Sequence, residues 1–487
     1  MKTKFLSINI FVLAAMILLG SCKKITEGVD ISPNDPTDAP YDLILNGAQV
    51  SSIMVYEGNV ARVAGMFSRS FTGADRQYVD AYNYNTTSQD YNDTWNTLYS
   101  QVIVQLKIVE TKALAVNDRT TAGIAEIGLA QAFGFAADLW GDVPFSQAGD
   151  DVKFPTPTFD SQTAVYTGVQ ALLDKAVSNL TSKVGKGPGG KDIFFGGSAE
   201  PWVNIAHTLK ARFFLHTKNY TSAITEANSG IVNSAGNMMA KHGSSYGADF
   251  NVYYSFLTYD RAGYMNADGA IAAAYLDESD PLYHGNAKTN EGARFNYLYQ
   301  PELNTGGLDP NVLVDFDWGN ATEENGFFGA TTSFPLVTFE ENNLILAEAY
   351  AKTNNNTAAL TALNKERAYM NTGGYINSGY YANGLQYDPY VIADFAPGGI
   401  ANKTTATESA ALLKEILTER YLTLIGQVEQ FNDVRRTKNA LNITPVRGSS
   451  LPQRLFYAQD EINTNPNTPK LSTADLFKPT TINTTAY

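Results

Sequence analysis

The strongest constraint on this chain is the spacing of its apolar residues between Leu129 and Trp140. Ala132, Phe133, Ala136, Ala137 and Trp140 follow Leu129 at intervals of three and four, which places them along one side of an α-helix. Gly141 and Pro144 then stop it. Leu98, Val102 and Leu106 form a similar stripe in the preceding helix, and Asn117-Asp118 supplies the turn between the two. Thr163 to Leu180, Trp202 to His216 and Tyr220 to Val232 read as three further helices. Thr338-x-x-Glu341 has the arrangement of a capping box ahead of Leu344, Ala347 and Ala351. After Asn354-Asn355-Asn356 a partner helix carries Leu360, Leu363 and Arg367. Thr405-x-x-Glu408 opens another, with Leu413, Ile416, Leu417, Tyr421 and Leu424 on one side. Helix, short turn and helix with alanines at the contacts is the pattern of tetratricopeptide-like pairs. The expected fold is mainly α, with such pairs building a right-handed helical body over residues 41–235 and 336–487.

Between residues 236 and 335 helical periodicity fades, and glycine, asparagine and aromatics mix, as in Phe250-Asn251-Val252-Tyr253-Tyr254. A stretch this long without clear elements is uncommon in a compact domain and tends to be functional. It reads as an irregular, loop-rich lobe that carries the ligand site.

Composition removes several classes. With 44% hydrophobic residues in 487, a large core is available, and 39 glycines rule out a collagen repeat. One cysteine excludes disulfide scaffolds, zinc ribbons and dithiol redox pairs. A formal charge of −14 argues against nucleic acid and anionic lipid as partners.

The lone cysteine has a place at the amino terminus. Lys2 and Lys4, an apolar run from Ile10 to Leu19, and small residues before Cys22 have the layout of a secretory signal over residues 1–21. That run is short for a membrane span. Leu19-Gly20-Ser21-Cys22 resembles the bacterial lipobox, in which the cysteine is lipidated and begins the mature chain. Removing the signal also removes Lys2 and Lys4, so the charge becomes −16. Lys23, rather than an inner-membrane-retaining aspartate, follows the cysteine, so an outer-membrane lipoprotein is expected. Residues 22–40, with Pro33, Pro36 and Pro40, read as a tether.

Several strings resemble the SusD/RagB family of surface nutrient-binding lipoproteins. Ala136-Ala137-Asp138-Leu139-Trp140-Gly141-Asp142-Val143-Pro144-Phe145 is similar to its Trp-Gly-Asp-Val-Pro turn. Leu344 to Tyr350 with Leu363 to Arg367 forms a second match. Ile416-Leu417-Thr418-Glu419-Arg420-Tyr421 and Phe431-Asn432-Asp433-Val434-Arg435-Arg436 are similar to its Glu-Arg helix and Asp-x-Arg-Arg ending. Arg454 to Pro466 resembles its carboxyl-terminal close. Gly426-Gln427-Val428-Glu429-Gln430 departs from the Glu-Gly-x-Arg of many members. The resemblance implies a non-enzymatic glycan-binding lipoprotein on the outer face of the outer membrane, capping a SusC-like TonB-dependent transporter. It requires no cofactor or metal. Glu419, Arg420, Asp433, Arg435 and Arg436 are expected to form ion pairs that pin adjoining helices.

A sugar site needs flat aromatics for stacking and amides, carboxylates or guanidinium groups for hydrogen bonds. Two segments offer these. The first holds Asp75, Arg76, Gln77, Tyr78, Tyr82, Tyr84 and Trp95. The second holds Tyr297, Tyr299, Asp317, Trp318, Asn320, Phe327 and Phe328. The ligand-binding set expected from them is Asp75, Arg76, Tyr78, Tyr82, Trp95, Tyr297, Tyr299, Trp318, Asn320 and Phe327, with Trp318 foremost. Peptide binding and surface glycoside hydrolysis, which needs only two carboxylates, are the alternatives. Gly243-Ser244-Ser245-Tyr246-Gly247 matches the hydrolase elbow, but lacks an apolar strand before it and a helix after it. Gly185 to Lys191 has phosphate-loop spacing, but Asp192 stands where magnesium chemistry needs Ser or Thr. His207, His216, His242 and His284 include no pair at metal-binding helical spacing.

Overall fold

In the computed structural model, which describes residues 39–302, 306–313 and 325–487, the helix expected around Leu129 runs from Arg119 to Trp140. Asp118 starts it by accepting hydrogen bonds from the Thr121 backbone N–H at 3.2 Å and hydroxyl at 2.8 Å, which satisfies a donor the first turn would otherwise leave orphaned. Gly141 ends it at φ +85°, a left-handed conformation that glycine adopts without a Cβ clash. The one-sided stripe understates its role: every residue but Arg119 and Gly128 is buried. The helices Val104–Ala115, Gln162–Thr181 and Ala199–His216 pack around it. Gly134 allows the last of these to come close, since a Cβ there would lie 2.2 Å from the Phe213 ring.

From here each helix leans on another. Ala199–His216 packs on Tyr220–Ala227, which packs on Phe339–Lys352; that helix contacts both Asn356–Asn371 and Glu408–Thr423, and Val428–Arg436 follows. The body is therefore mainly helical with a tetratricopeptide-like succession of pairs. Three local expectations change. The Tyr220 helix ends at Ala227, short of Val232. Thr338 accepts from the Glu341 N–H at 3.2 Å, but Glu341 does not return the bond; its carboxylate takes Arg212 instead, at 2.6 Å. Thr407, not Thr405, caps the Glu408 helix. There Leu412 is buried and Leu413 only partly so.

Four two-stranded antiparallel ladders hold the loops. Met238–Ala240 pairs with Phe334–Val337 through a bulge, bringing the two ends of the irregular stretch side by side. Thr72–Gly73 pairs with Met265–Asn266, Thr289–Asn290 with Gln386–Tyr387, and Tyr299–Pro301 with Leu308–Pro310.

The charged motifs are structural. Arg436 reaches Glu348 at 2.6 Å and Asp433 at 2.7 Å; Arg420 reaches the same Asp433 at 2.8 Å; Arg294 pairs with Glu419. Arg435 donates to the Asp138 and Gln453 carbonyls at 2.8 and 2.9 Å. All of these side chains are buried, where an unpaired charge is costly. The carboxyl-terminal segment folds back over the Trp140-Gly141 turn. Trp140 Nε1 donates to the Phe456 carbonyl at 2.8 Å, and the Tyr457 hydroxyl to the Asp142 carbonyl at 2.8 Å.

Candidate functional site

The loop after the Met238–Ala240 strand is built to hold rings at the surface. Gly243 N–H donates to the Asp249 carbonyl at 2.8 Å, and the Asp249 carboxylate accepts from the Ser245 N–H at 2.7 Å, closing a tight turn. Asn251 then caps the short helix Val252–Ser255 and donates from its side chain to the Thr332 carbonyl at 3.0 Å. The Val252 N–H donates to buried Glu57 at 2.9 Å. With the backbone anchored this way, Tyr253 turns inward, fully buried, its hydroxyl donating to the Gly426 carbonyl at 2.7 Å.

Tyr246 and Tyr259 turn outward, 58% and 51% exposed. Their ring centroids are 4.5 Å apart, and Phe250 lies 6.0 Å from Tyr259 at an interplanar angle of 27°. Tyr254 closes the back of this shelf, 5.1 Å from Phe250. Besides Phe477, these two tyrosines are the only exposed aromatic side chains among the described residues. The shelf has polar edges. The Tyr246 hydroxyl donates to Asp260 at 3.3 Å, and that negative charge raises the phenol's pKa, so it stays a hydrogen-bond donor.

The early loop reaches the same surface. Ala74 N–H donates to the Tyr264 carbonyl at 2.8 Å, and the Arg76 and Arg261 guanidinium groups lie 5.7 and 5.8 Å from the Tyr264 ring centre. Arg76 holds φ +46°, a conformation that costs a non-glycine residue on the order of 1 kcal/mol and marks sites where geometry is constrained. Asp75, whose side chain accepts from the Arg76 N–H at 2.9 Å, is exposed beside it. Asp260 thus borders the shelf rings, and Asp75, Arg76 and Arg261 gather around Tyr264 five residues after Tyr259, charges and rings suited to a neutral ligand with one apolar face and many hydroxyls.

The sequence-expected residues divide. Asp75 and Arg76 are exposed beside Tyr264, and Tyr82 is half-buried with the Arg69 guanidinium 5.5 Å from its ring. Trp95 is not a surface residue. It is 2% exposed, packed against Tyr99, Trp140 and Tyr457 at 4.7, 5.1 and 6.0 Å, so neither ring face is open to a sugar. Tyr78 is buried, accepting from Arg62 Nε and donating to Asn59, both at 2.9 Å. Tyr299 is 1% exposed, its hydroxyl donating to the Ser70 carbonyl at 3.2 Å. These three belong to the core. Tyr297 and Phe327 are also buried, but both line a cavity of about 320 Å³ taken up below. Trp318, Asn320 and Cys22 lie outside the described residues.

The shelf was missed because its glycine-serine string was weighed only as a hydrolase elbow. The usable signal was the run Tyr246, Phe250, Tyr254 and Tyr259 among turn-forming residues. At that string a short strand, Met238–Ala240, does precede Ser245, contrary to the sequence expectation, but the serine sits in a tight turn that runs on into further turn rather than directly into a helix. In the phosphate-loop look-alike, the Gly187 N–H donates to the Asp118 carboxylate at 3.2 Å, so an internal anion occupies that donor.

Two clusters bring histidine and carboxylates within 4.8 Å of one another: Asp138, His216, Glu429 and His284, Glu291, Glu419. In His216 one ring nitrogen lies 2.9 Å from Asp138 and the other 3.1 Å from Glu429. His284 likewise bridges Glu291 and Glu415 at 3.0 and 3.1 Å. Burial alone would lower these imidazoles, but the flanking carboxylates prevail and raise them to about 9 and about 10. Each is a buried imidazolium between two anions, which fits an ion pair rather than a metal ligand.

Comparison with known proteins agrees with this architecture. The fold is similar to a SusD/RagB family protein from Bacteroides thetaiotaomicron (19% identity, TM-score 0.66, covering 92% of this chain and 99% of that one). It is similar to a chitin-binding protein (18%, 0.62, 88% and 95%) and to a SusD homolog from Bacteroides fragilis (17%, 0.62, 92% and 99%). No curated protein matches the chain. No helix among the described residues is long and apolar enough to cross a membrane. The family model described as "Starch-binding associating with outer membrane" matches residues 33–457, and the chain belongs to that SusD-like family.

Proposed function

We propose that the protein captures a neutral oligo- or polysaccharide on the shelf formed by Tyr246, Phe250 and Tyr259, with Asp75, Arg76 and Arg261 at its edge, and passes it to a SusC-like TonB-dependent transporter. The observation that carries this is the pair of exposed, adjacent tyrosines beside balanced charges. Water-exposed rings lose little on being covered, and a sugar's apolar face covers them while its hydroxyls meet the flanking polar groups. Starch and chitin are the glycans suggested by the family description and by one structural neighbour. In this reading Cys22 carries the lipid that anchors the protein at the cell surface, and no covalent chemistry is performed. Calorimetric titration with soluble starch and chitin oligosaccharides tests it: saturable heat with at least one is expected, and sustained release of reducing ends would instead make the protein a hydrolase. Co-purification from outer membranes in mild detergent should recover a large barrel, and intact mass should show a lipidated Cys22.

A further inference from the structure

The cavity lined by Tyr297 and Phe327 has no part in the shelf. Its volume is about 320 Å³, at the lower end of sites that hold small ligands. It is built by the ladder of Met238–Ala240 with Phe334–Val337 and the loop at Phe327 before it, the helix Gly292–Leu298 that carries Tyr297, the start of the Phe339 helix, the end of the Asn356 helix with Tyr375 beyond it, and the elbow between Glu408–Thr423 and Val428–Arg436. Ser234 is exposed at its rim, whereas Gln427, only 6% exposed, lies deep within it.

The polar groups inside are unevenly satisfied. Glu340 is buried and its two oxygens accept from Asn237 Nδ2 at 3.0 and 3.4 Å. The Tyr375 hydroxyl, by contrast, is buried without a hydrogen-bond partner, and the Gln427 amide and Tyr297 hydroxyl make no hydrogen bond to described residues while keeping access to the cavity. A buried hydroxyl left without a partner, as at Tyr375, costs about 1–3 kcal/mol, a cost that a polar group entering the cavity removes.

The walls decide the ligand's chemistry. Tyr297, Phe327, Tyr369 and Tyr375 supply ring surface, and no lysine, arginine or histidine lines the cavity. Burial pushes the Glu340 carboxyl up from its ordinary value, and its oxygens are engaged by Asn237. An anion would find no countercharge. A neutral ring with an apolar face and hydroxyls would satisfy an amide and a phenol at once.

We infer that this cavity is a second binding site, separate from the shelf, that takes one neutral sugar ring with Gln427 and Tyr297 as its hydrogen-bonding partners. The ring is either a free monosaccharide or the end of a longer chain. The inference does not depend on the shelf, and one set of measurements separates them. Saturation-transfer NMR with glucose and with N-acetylglucosamine should show transfer to the wild-type protein and to the Tyr246→Ala/Tyr259→Ala variant alike. Added to that shelf variant, so that the shelf contributes no signal, Gln427→Leu should weaken it at least tenfold in affinity. Ser234→Trp in the same shelf variant, a change at an exposed rim position that leaves the core untouched, should block it at unchanged Tm. Transfer from maltohexaose confined to its end ring would assign the chain end as the source, and transfer from the monosaccharides alone would assign free sugar. Absence of transfer from every sugar, persistence in both Gln427→Leu and Ser234→Trp, loss in the shelf variant, or a preference for tetramethylammonium over sugars would overturn the inference.

Discussion

In the two helices between Glu408 and Arg436, buried charges meet countercharges or backbone carbonyls, whereas between Gly243 and Tyr264 rings and charges stand at the surface with open sides. Both regions are rich in groups that could serve a ligand. Burial separates them: an interior charge has no water to turn to and must be paired, while an exposed ring contributes little to folding and remains available. Mutations in the helices should therefore read out as stability, and mutations in the loop as binding.

The largest effects should come from the paired interior. Arg436→Ala leaves Glu348 and Asp433 buried with a lost partner and should cost about 3–5 kcal/mol in denaturant titration. A loss below about 1 kcal/mol would mean the network does not pin these helices. Trp95→Ala, which empties an aromatic cluster, should cost a similar 3–5 kcal/mol, with glycan retention per folded molecule unchanged. Retention lost at full stability would instead return Trp95 to the binding site.

The bridging histidines give the comparison a pH axis. His216 and His284 are raised above their unfolded value near 6.5 to about 9 and about 10. Their contribution is fully present below the unfolded value and is lost as pH rises through the folded values. Tm should fall in that alkaline range, and His216→Gln should flatten part of the fall. Glu291, lowered to about 2 once Arg294 and His284 overcome its burial, acts in the opposite direction: its share is lost as pH drops from the ordinary carboxylate range toward that value.

Smaller effects belong to the surface. Arg76→Gly relieves the left-handed backbone and should stabilise the protein by about 1 kcal/mol, while weakening binding if the guanidinium faces the ligand. Tyr259→Ala should change stability by no more than about 0.5 kcal/mol.

How far the sequence could be read follows the same division. The helix stripe from Leu129 to Trp140 and its Gly141 stop were legible because periodicity and helix breaking are local, whereas Asp118, expected only as part of a turn, proves to cap the helix. Glu341 was misjudged as half of a capping box because its real partner, Arg212, is 129 residues away. The SusD-like membership was carried by motifs such as Trp140-Gly141 and Asp433 to Arg436, whose roles are interior. Asp75 and Arg76 are legible from their chemistry, yet their neighbour Tyr264 is not, because the Thr72–Gly73 and Met265–Asn266 pairing joins them across the chain. Trp95 and Tyr299 were misplaced since no local pattern distinguishes a ring under a loop from one above it.

Affinity electrophoresis of the wild type beside Tyr246→Ala/Tyr259→Ala, in gels with and without the bound polysaccharide, tests the central claim most directly. The account predicts that the wild type is retarded and that the double variant, with unchanged Tm, migrates as it does in the blank gel. Equal retardation of both proteins would contradict it.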